Sequence, residues 1–196
     1  MSAGLVLYRA LATRSFTALW MLEELSLPYR SEMVGAEADR AAYLELNPTG
    51  MVPTLVDGRA VVREAPAICM YLADRYSPGD LAPRIEDPAR GAYLSWLVYV
   101  DAVMDPCFVA KSQGWRYPSL GVSFGLFDDM VRHVENALTD HDYATGDQFT
   151  AADVSLASAV HWGLNIAALL PERPVFRTYL ERVQARAGFQ RFIAKS

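Results

Sequence analysis

Residues 47–68, NPTGMVPTLVDGRAVVREAPAI, hold the densest local signals in the chain and decide how its first part folds. Asp57-Gly58 separates two β-prone runs, Thr54–Val56 and Ala60–Arg63. Because aspartate and glycine both tolerate positive φ, this pair predicts a β-hairpin. A helix is predicted directly after the hairpin, over Glu64–Tyr76, because its third residue is a proline, which fits a first helical turn.

Upstream of this stretch the pattern alternates between strand and helix. Gly4–Arg9 and Tyr29–Val34 are short and β-prone. Between them, apolar residues recur at every third position over Phe16–Leu25, which predicts an amphipathic helix. Asp39–Leu46 predicts a shorter helix that Asn47-Pro48 ends. The predicted order of elements is therefore β-α-β-α-β-β-α.

Downstream of the hairpin and its helix, the character of the sequence changes. Ser77–Pro88 contains three prolines and a glycine, which is typical of a linker, and no strand or hairpin pattern recurs after it. We therefore predict a small α/β domain over residues 1–77, a linker over residues 78–87 and an all-helical domain over residues 88–196.

Helical patterns fill this second domain. Ala89–Gln113 and Phe124–Thr139 are long helical stretches, and Pro174 opens another helix near the C-terminus. Thr150 and Asp153 have the spacing of a capping box, which predicts a helix that begins inside the core. We interpret these two residues as determinants of folding and not as part of a functional site.

Composition and charge exclude several classes of protein. Of the 196 residues, 52% are apolar and 21% are charged, which argues against a disordered or fibrous chain. The net charge of −5 argues against a basic nucleic-acid-binding protein. Cys69 and Cys107 are too few for a disulfide framework, and His133, His141 and His161 lack the spacing of metal ligands.

The sequence carries no evident targeting or membrane segment. The apolar run Gly4–Tyr8 is too short for the core of a signal peptide. The longest uncharged run, Val154–Leu170, is shorter than the roughly 20 residues that a membrane span needs. We therefore expect a cytoplasmic protein that keeps its thiols reduced and has neither a membrane nor a nucleic acid as a partner.

Four groups of residues, spread in order over about residues 5 to 156, resemble the motifs of the cytosolic glutathione S-transferase superfamily. The first group resembles the N-terminal motif of bacterial, theta-, delta- or beta-like members. The region around residues 110–140 carries little of the resemblance. The matching stretches are Leu7-Tyr8, Thr13–Phe16, Leu22–Leu25 and Leu27–Tyr29; Asn47–Gly50 and Val52–Leu55; Glu64–Ile68 and Tyr71-Leu72; and Gly146–Asp153.

The resemblance implies an α/β plus all-α fold, with a thioredoxin-like N-terminal domain followed by an all-helical C-terminal domain. It implies a homodimer that binds glutathione as co-substrate, mainly through the first domain, with no metal. The expected activity, typical of detoxification, is attack by the glutathione thiolate on a small electrophilic molecule held between the domains. Two alternatives stay open: a glutathione-dependent peroxidase or disulfide reductase, and a non-catalytic protein-interaction module.

The expected reaction needs a thiolate, and a thiol with a pKa near ~8.5 is mostly protonated at neutral pH. A hydroxyl hydrogen bond and the positive end of a helix both stabilise the anion. By resemblance, Thr13 falls where theta- and delta-like members carry their activating serine, and Ser15 is the second candidate. A threonine departs from the serine, cysteine or tyrosine usual there. The alternative is that either hydroxyl is only a helix N-cap, and the two roles are compatible.

Two further positions are assigned to glutathione by the resemblance. It implies a cis peptide bond between Val52 and Pro53, whose exposed backbone would pair with the cysteinyl part of glutathione as an added strand does. Without the surrounding motif, an ordinary proline at a strand edge would be expected.

By the same resemblance, Glu64 binds the ammonium of the γ-glutamyl group. The next residue is usually serine and is Ala65 here, so a hydroxyl is lost and weaker glutathione binding is expected. Arg14 or Arg63 could compensate for that loss. The alternative for Glu64 is an acid that stabilises a helix start and binds no ligand.

The acceptor pocket is the least specified part of the prediction. Met104 and Phe108 lie on the first long helix of the second domain, in a stripe of a kind that usually packs into a core. They are nevertheless candidates for the acceptor pocket, together with Trp115 and Tyr117 from the loop that follows. Nothing in the sequence selects a particular acceptor.

Overall fold

The computed structural model describes residues 4–35 and 37–195, so residues 1–3, 36 and 196 of the two predicted domains lie outside the described residues. Strands and helices alternate in the first half of the chain, and helices alone follow. The strands are β1 (Leu5–Arg9), β2 (Tyr29–Met33), β3 (Thr54–Asp57) and β4 (Ala60–Arg63). The helices are α1 (Ser15–Leu25), α2 (Glu37–Leu46), α3 (Ala65–Tyr76), α4 (Ala89–Tyr99), α5 (Asp105–Ser112), α6 (Phe127–Asp140), α7 (Ala151–His161), α8 (Pro174–Gln184) and α9 (Ala187–Ile193).

The sheet has the strand order β2-β1-β3-β4. Strand β1 runs parallel to β2 and antiparallel to β3, and β3 and β4 form the predicted hairpin around Asp57-Gly58. Helices α1 and α3 pack against each other and against these strands. This arrangement confirms a thioredoxin-like first half followed by a helical second half.

The predicted helices at Phe16 and Asp39 begin earlier than expected, at Ser15 and Glu37, and three other predicted helices differ from those observed for a visible backbone reason. Helix α3 begins at Ala65 and not at Glu64, because Glu64 has a φ of +66° and is not helical. Helix α6 begins at Phe127 and not at Phe124, because Gly125 has a φ of +71° and interrupts the helical backbone. The stretch predicted as one helix over Ala89–Gln113 is interrupted by a π-helical turn at residues 100–104.

Helix α7 is the central helix of the second half, and its residues 151–160 are all buried. Its start is the predicted capping box: the Thr150 hydroxyl accepts a hydrogen bond from the Ala152 amide, and the Asp153 carboxylate accepts one from the Thr150 amide at 2.9 Å. Asp153 also accepts from the Ala144 amide and the Tyr179 hydroxyl. Burial raises the pKa of Asp153 to about 6, although these hydrogen bonds favour the carboxylate.

One helical run, Ala89–Ser112, is long and apolar enough by length and composition to cross a membrane. This run packs against α7 and places Tyr93, Trp96 and Leu97 in the hydrophobic core. Much of its apolar character is therefore accounted for by packing within the chain.

Helix α1 belongs to the cores of both halves, because it packs against α3 on one side and against α7 and α9 on the other. Trp20 is buried at this junction, and its ring meets the Phe189 ring edge-on at a centroid distance of 5.0 Å. The two halves are thus joined by a shared helix as well as by the linker.

Candidate functional site

Three loops meet at one edge of the sheet. The register of the strands pairs Tyr8 of β1 with Thr54 of β3, and Thr54 with Arg63 of β4. The chain therefore leaves β1 toward the start of α1, enters β3 from the Val52–Pro53 turn, and leaves β4 toward Glu64 at the same edge. Because neighbouring strands are about 4.8 Å apart, the three loops span about 10 Å.

The first loop carries the two predicted thiol residues, Thr13 and Ser15. The Thr13 hydroxyl donates to the Ala10 carbonyl at 2.9 Å and accepts from the Ser15 amide at 3.2 Å. The two hydroxyl oxygens lie 2.8 Å apart, and the Ser15 oxygen also accepts from the Ala10 amide at 3.3 Å. Thr13 is half-buried, whereas Ser15 is buried. The pair forms a fixed hydroxyl network at the start of α1, with Thr13 as its accessible member.

The second loop contains the Val52–Pro53 peptide bond, which is cis, as predicted. A buried asparagine holds this turn: the Asn47 side-chain amide donates to the Met51 carbonyl at 2.8 Å and to the Thr54 hydroxyl at 3.1 Å. Asn47 is a positioning residue for which the sequence alone predicts no role, although its place in the motif Asn47–Gly50 is a signal for one.

The third loop places Glu64 and Ala65 at the start of α3. Glu64 is exposed and has a φ of +66°, an unusual conformation for a residue with a side chain. Ala65 is buried, and the first turn of α3 has no side-chain cap. Unusual backbone conformations of this kind cluster at ligand sites, which fits a ligand-facing role for this loop.

Charged residues from the helical half come close to these loops. Arg14 forms an ion pair with Asp105 at the start of α5. Asp101 lies nearby: burial and Glu64 raise its pKa, while Arg14 lowers it. Burial lowers the pKa of Arg14, and Asp101 opposes that effect. Both arginines that could compensate for the missing hydroxyl already have partners. Arg14 pairs with Asp105, and Arg63 donates to the Leu46 carbonyl at 2.6 Å.

A cavity of about 530 Å³ opens between the start of α1 and the helical half. Thr13 and Arg14 are among the polar residues that line it. Aliphatic and aromatic residues of both halves form most of the remaining lining, and the large aromatic rings are those of Phe16, Trp20, Phe108, Trp162, Phe189 and Phe192. Such a space fits a small apolar molecule in contact with whatever occupies the Thr13 loop.

The four predicted acceptor residues have different locations. Phe108 lines the cavity, and Met104 is fully buried and outside its lining. Trp115 is 58% exposed, and the Tyr117 ring packs against Phe124 at a centroid distance of 5.4 Å. Neither lies in the cavity lining. Three cavity residues, Trp162, His161 and Phe192, come from regions in which no sequence pattern indicated a site.

The last helix forms one wall of the cavity and is held by two buried glutamates of α1. Glu23 accepts hydrogen bonds from Lys195 and from the Tyr29 hydroxyl, both at 2.6 Å. Glu24 is paired with Arg186 at 3.0 Å. Both glutamate side chains are only 3% exposed, so these contacts fix α9 against α1.

Within the described ranges, no group of histidine, cysteine, aspartate and glutamate side chains could hold a metal ion. Cys69 and Cys107 are buried, free thiols, and burial raises the pKa of each.

Comparison with known families gives two matches. The model of the glutathione S-transferase N-terminal domain matches residues 14–75, and that of the glutathione S-transferase C-terminal domain matches residues 122–182. The two matches fall on the sheet half and on the helical half.

Individual relatives agree with these matches. Glutathione S-transferase 3 of Schizosaccharomyces pombe is 30% identical over 176 residues, which is 76% of this chain and 70% of that protein. Glutathione S-transferase 2 of Anopheles gambiae is 29% identical over 173 residues, 85% of this chain and 82% of that protein. The theta class glutathione S-transferase of Xanthomonas axonopodis pv. citri, solved with glutathione bound, has a TM-score of 0.78 and 27% identity, and the match covers 100% of this chain and 99% of that one.

Proposed function

The chain belongs to the glutathione S-transferase family, and from that premise we propose that it activates the thiol of glutathione for attack on a small electrophile. One observation carries the proposal: Thr13 stands where the three-loop edge of the sheet meets the aromatic cavity. A thiol next to Thr13 would face the cavity, and the rest of the tripeptide would extend along the sheet edge.

The dimensions of the edge support this placement. Three extended residues span about 10 Å, which is the distance across the three loops. In the proposal, the Val52 backbone pairs with the cysteinyl unit, and the Glu64 carboxylate binds the γ-glutamyl ammonium. The Ala65 amide, at the positive end of α3, receives a glutathione carboxylate. The glutathione bound to the Xanthomonas relative is consistent with such a ligand.

Thiol activation is assigned to Thr13, with Ser15 as a positioning residue. Thr13 lines the cavity and Ser15 does not. In the proposal the Thr13 proton turns from the Ala10 carbonyl toward the sulfur. The Ser15 hydroxyl and the Ser15 amide then hold the Thr13 oxygen in place, at 2.8 Å and 3.2 Å. The start of α1 adds the favourable field of a helix N-terminus.

The experiment is a titration of the bound thiol, followed by thiolate absorbance, in the wild type and two variants. Thr13→Ala is expected to raise the pKa of bound glutathione by about 1–2 units, since one charge-assisted hydrogen bond is lost. Ser15→Ala is expected to raise it less. Ser95→Ala, which removes an exposed hydroxyl on α4, is the matched control.

An unchanged thiol pKa in both variants would remove the hydroxyl assignment. Calorimetry tests whether glutathione binds at all. An absence of heat with millimolar glutathione would favour a non-catalytic module over an enzyme.

We extend the proposal to the assembly and the compartment. Val98, on the helical run of the second half, is 59% exposed, which supports a homodimer that covers it. Sedimentation analysis at micromolar concentration tests this. Two reduced cysteines are consistent with a cytoplasmic detoxifying role.

A further inference from the structure

His161 lines the cavity, and the proposed activation of glutathione makes no use of it. It is the last residue of α7 and precedes the π-helical turn Trp162–Ile166. Its half-buried ring lies 6.5 Å from the Phe16 ring, centroid to centroid.

The hydrogen bonds around His161 decide which ring nitrogen carries the proton. Arg177 Nη1 donates to the Asn165 side-chain oxygen at 2.6 Å, and a guanidinium can only donate. The Asn165 amide nitrogen must therefore face His161 Nδ1, 3.0 Å away. The Gln184 amide nitrogen lies on the same side, at 3.4 Å. Nδ1 consequently accepts, and the proton of the neutral ring is on Nε2.

The ring is neutral at physiological pH, because burial and the Arg177 charge both lower the pKa of His161. Glu172 pairs with Arg177 and keeps that cation in place, with Nε and Oε2 2.9 Å apart. Within residues 4–35 and 37–195, no hydrogen-bond partner of Nε2 is found, and that atom is not among the buried polar atoms without a partner, so it is accessible on a residue that lines the cavity.

We propose that His161 is a specificity-determining residue whose Nε2–H donates a hydrogen bond to a carbonyl oxygen of the acceptor substrate. This inference rests on the proposed function, and it narrows the acceptor to an aromatic electrophile that carries a hydrogen-bond acceptor. In an apolar cavity a donor without a partner favours ligands that supply one over ligands of equal shape that do not.

The first test uses binding alone and needs no glutathione. Acetophenone and ethylbenzene have similar shapes and differ in the carbonyl group. Their binding is followed by the fluorescence of Trp20 and Trp162, which line the cavity. His161→Phe is expected to weaken acetophenone binding about fivefold, the effect of one neutral hydrogen bond, and to leave ethylbenzene binding within about twofold. His161→Gln, which retains an N–H donor, is expected to recover most of the loss.

His141→Phe, at an exposed position outside the cavity, is the control variant. Equal losses for both ligands in His161→Phe would reduce His161 to a packing role and overturn the proposal. A ¹⁵N–¹H spectrum of the wild-type imidazole is the second measurement, and it is independent of any folding defect. A proton on Nε2 is expected, and a proton on Nδ1 would overturn the proposal.

The second test uses catalysis. With glutathione, the His161→Phe variant is expected to lose kcat/KM for 4-phenyl-3-buten-2-one and to keep it for benzyl bromide. If the wild type conjugates neither compound and binds no glutathione, the proposed function fails, while the acetophenone comparison and the spectrum still decide the role of His161.

Discussion

Helices α3 and α7 begin in opposite ways. The start of α7 is buried, and the Thr150 and Asp153 side chains satisfy its amides from within the chain. The start of α3 has an exposed glutamate at the N-cap, a positive φ, and no side-chain cap. Because a helix N-terminus without a cap presents free donors and a favourable field to an anion, the open start suits binding and the closed start suits folding.

The largest effect is expected from removing the side-chain cap at the start of α7. Asp153→Ala is expected to lower the free energy of unfolding by about 3–5 kcal/mol, because it leaves buried donors of Ala144, Thr150 and Tyr179 without their acceptor. Denaturant unfolding at pH 7.5 measures the loss. Asp147→Ala, at an exposed position nearby, is the control. A loss below about 1 kcal/mol would show that the box is not needed for stability.

A smaller effect is expected from a substitution at the start of α3. It concerns the affinity for glutathione and not the stability of the fold. Glu64→Gln removes the charge proposed to bind the γ-glutamyl ammonium, at a cost of about 1.5–3 kcal/mol or a 10–100-fold weaker Kd for glutathione. Calorimetry measures this change, and Glu86→Gln in the linker region is the matched exposed control. Unchanged affinity with a lowered unfolding free energy would make Glu64 a structural residue.

The smallest expected effect comes from adding a partial cap to α3. Ala65→Ser restores the hydroxyl that the family resemblance implies and gives the γ-glutamyl carboxylate another donor. Glutathione affinity is expected to rise about 2–10-fold, the range of one ordinary hydrogen bond. Ala67→Ser, two residues further along α3, controls for the change in polarity. Weaker binding by Ala65→Ser than by wild type would contradict this placement of the ligand.

The sequence predicted those parts of the fold that depend on neighbouring residues. The hairpin at Asp57-Gly58 and the capping box at Thr150 and Asp153 are set by spacing within a few positions, and both are confirmed. The cis bond before Pro53 was implied by a local motif and is present. The start of α3 was misplaced by one residue because propensity does not reveal that Glu64 adopts a positive φ.

The cavity could not be predicted in the same way, because its walls come from distant parts of the chain. Phe16 and Phe192 pack at a centroid distance of 5.5 Å although 176 positions separate them. The role proposed for His161 depends on Arg177 through Asn165, a relation that neither spacing nor composition indicates. Local patterns therefore located the three loops that we propose to bind glutathione, while packing between the two halves determines the cavity.

The contacts of α9 with α1 have a consequence for how the protein can be divided. Cleavage within the Ser77–Pro88 segment would divide the chain into two fragments. The first fragment would keep Glu23 and Glu24 but lose the cations that pair with them, Lys195 and Arg186. The second fragment would expose the rings of Phe189 and Phe192 to water. Each fragment thus lacks a surface that only the other supplies, so we expect the two halves to unfold together as one cooperative unit.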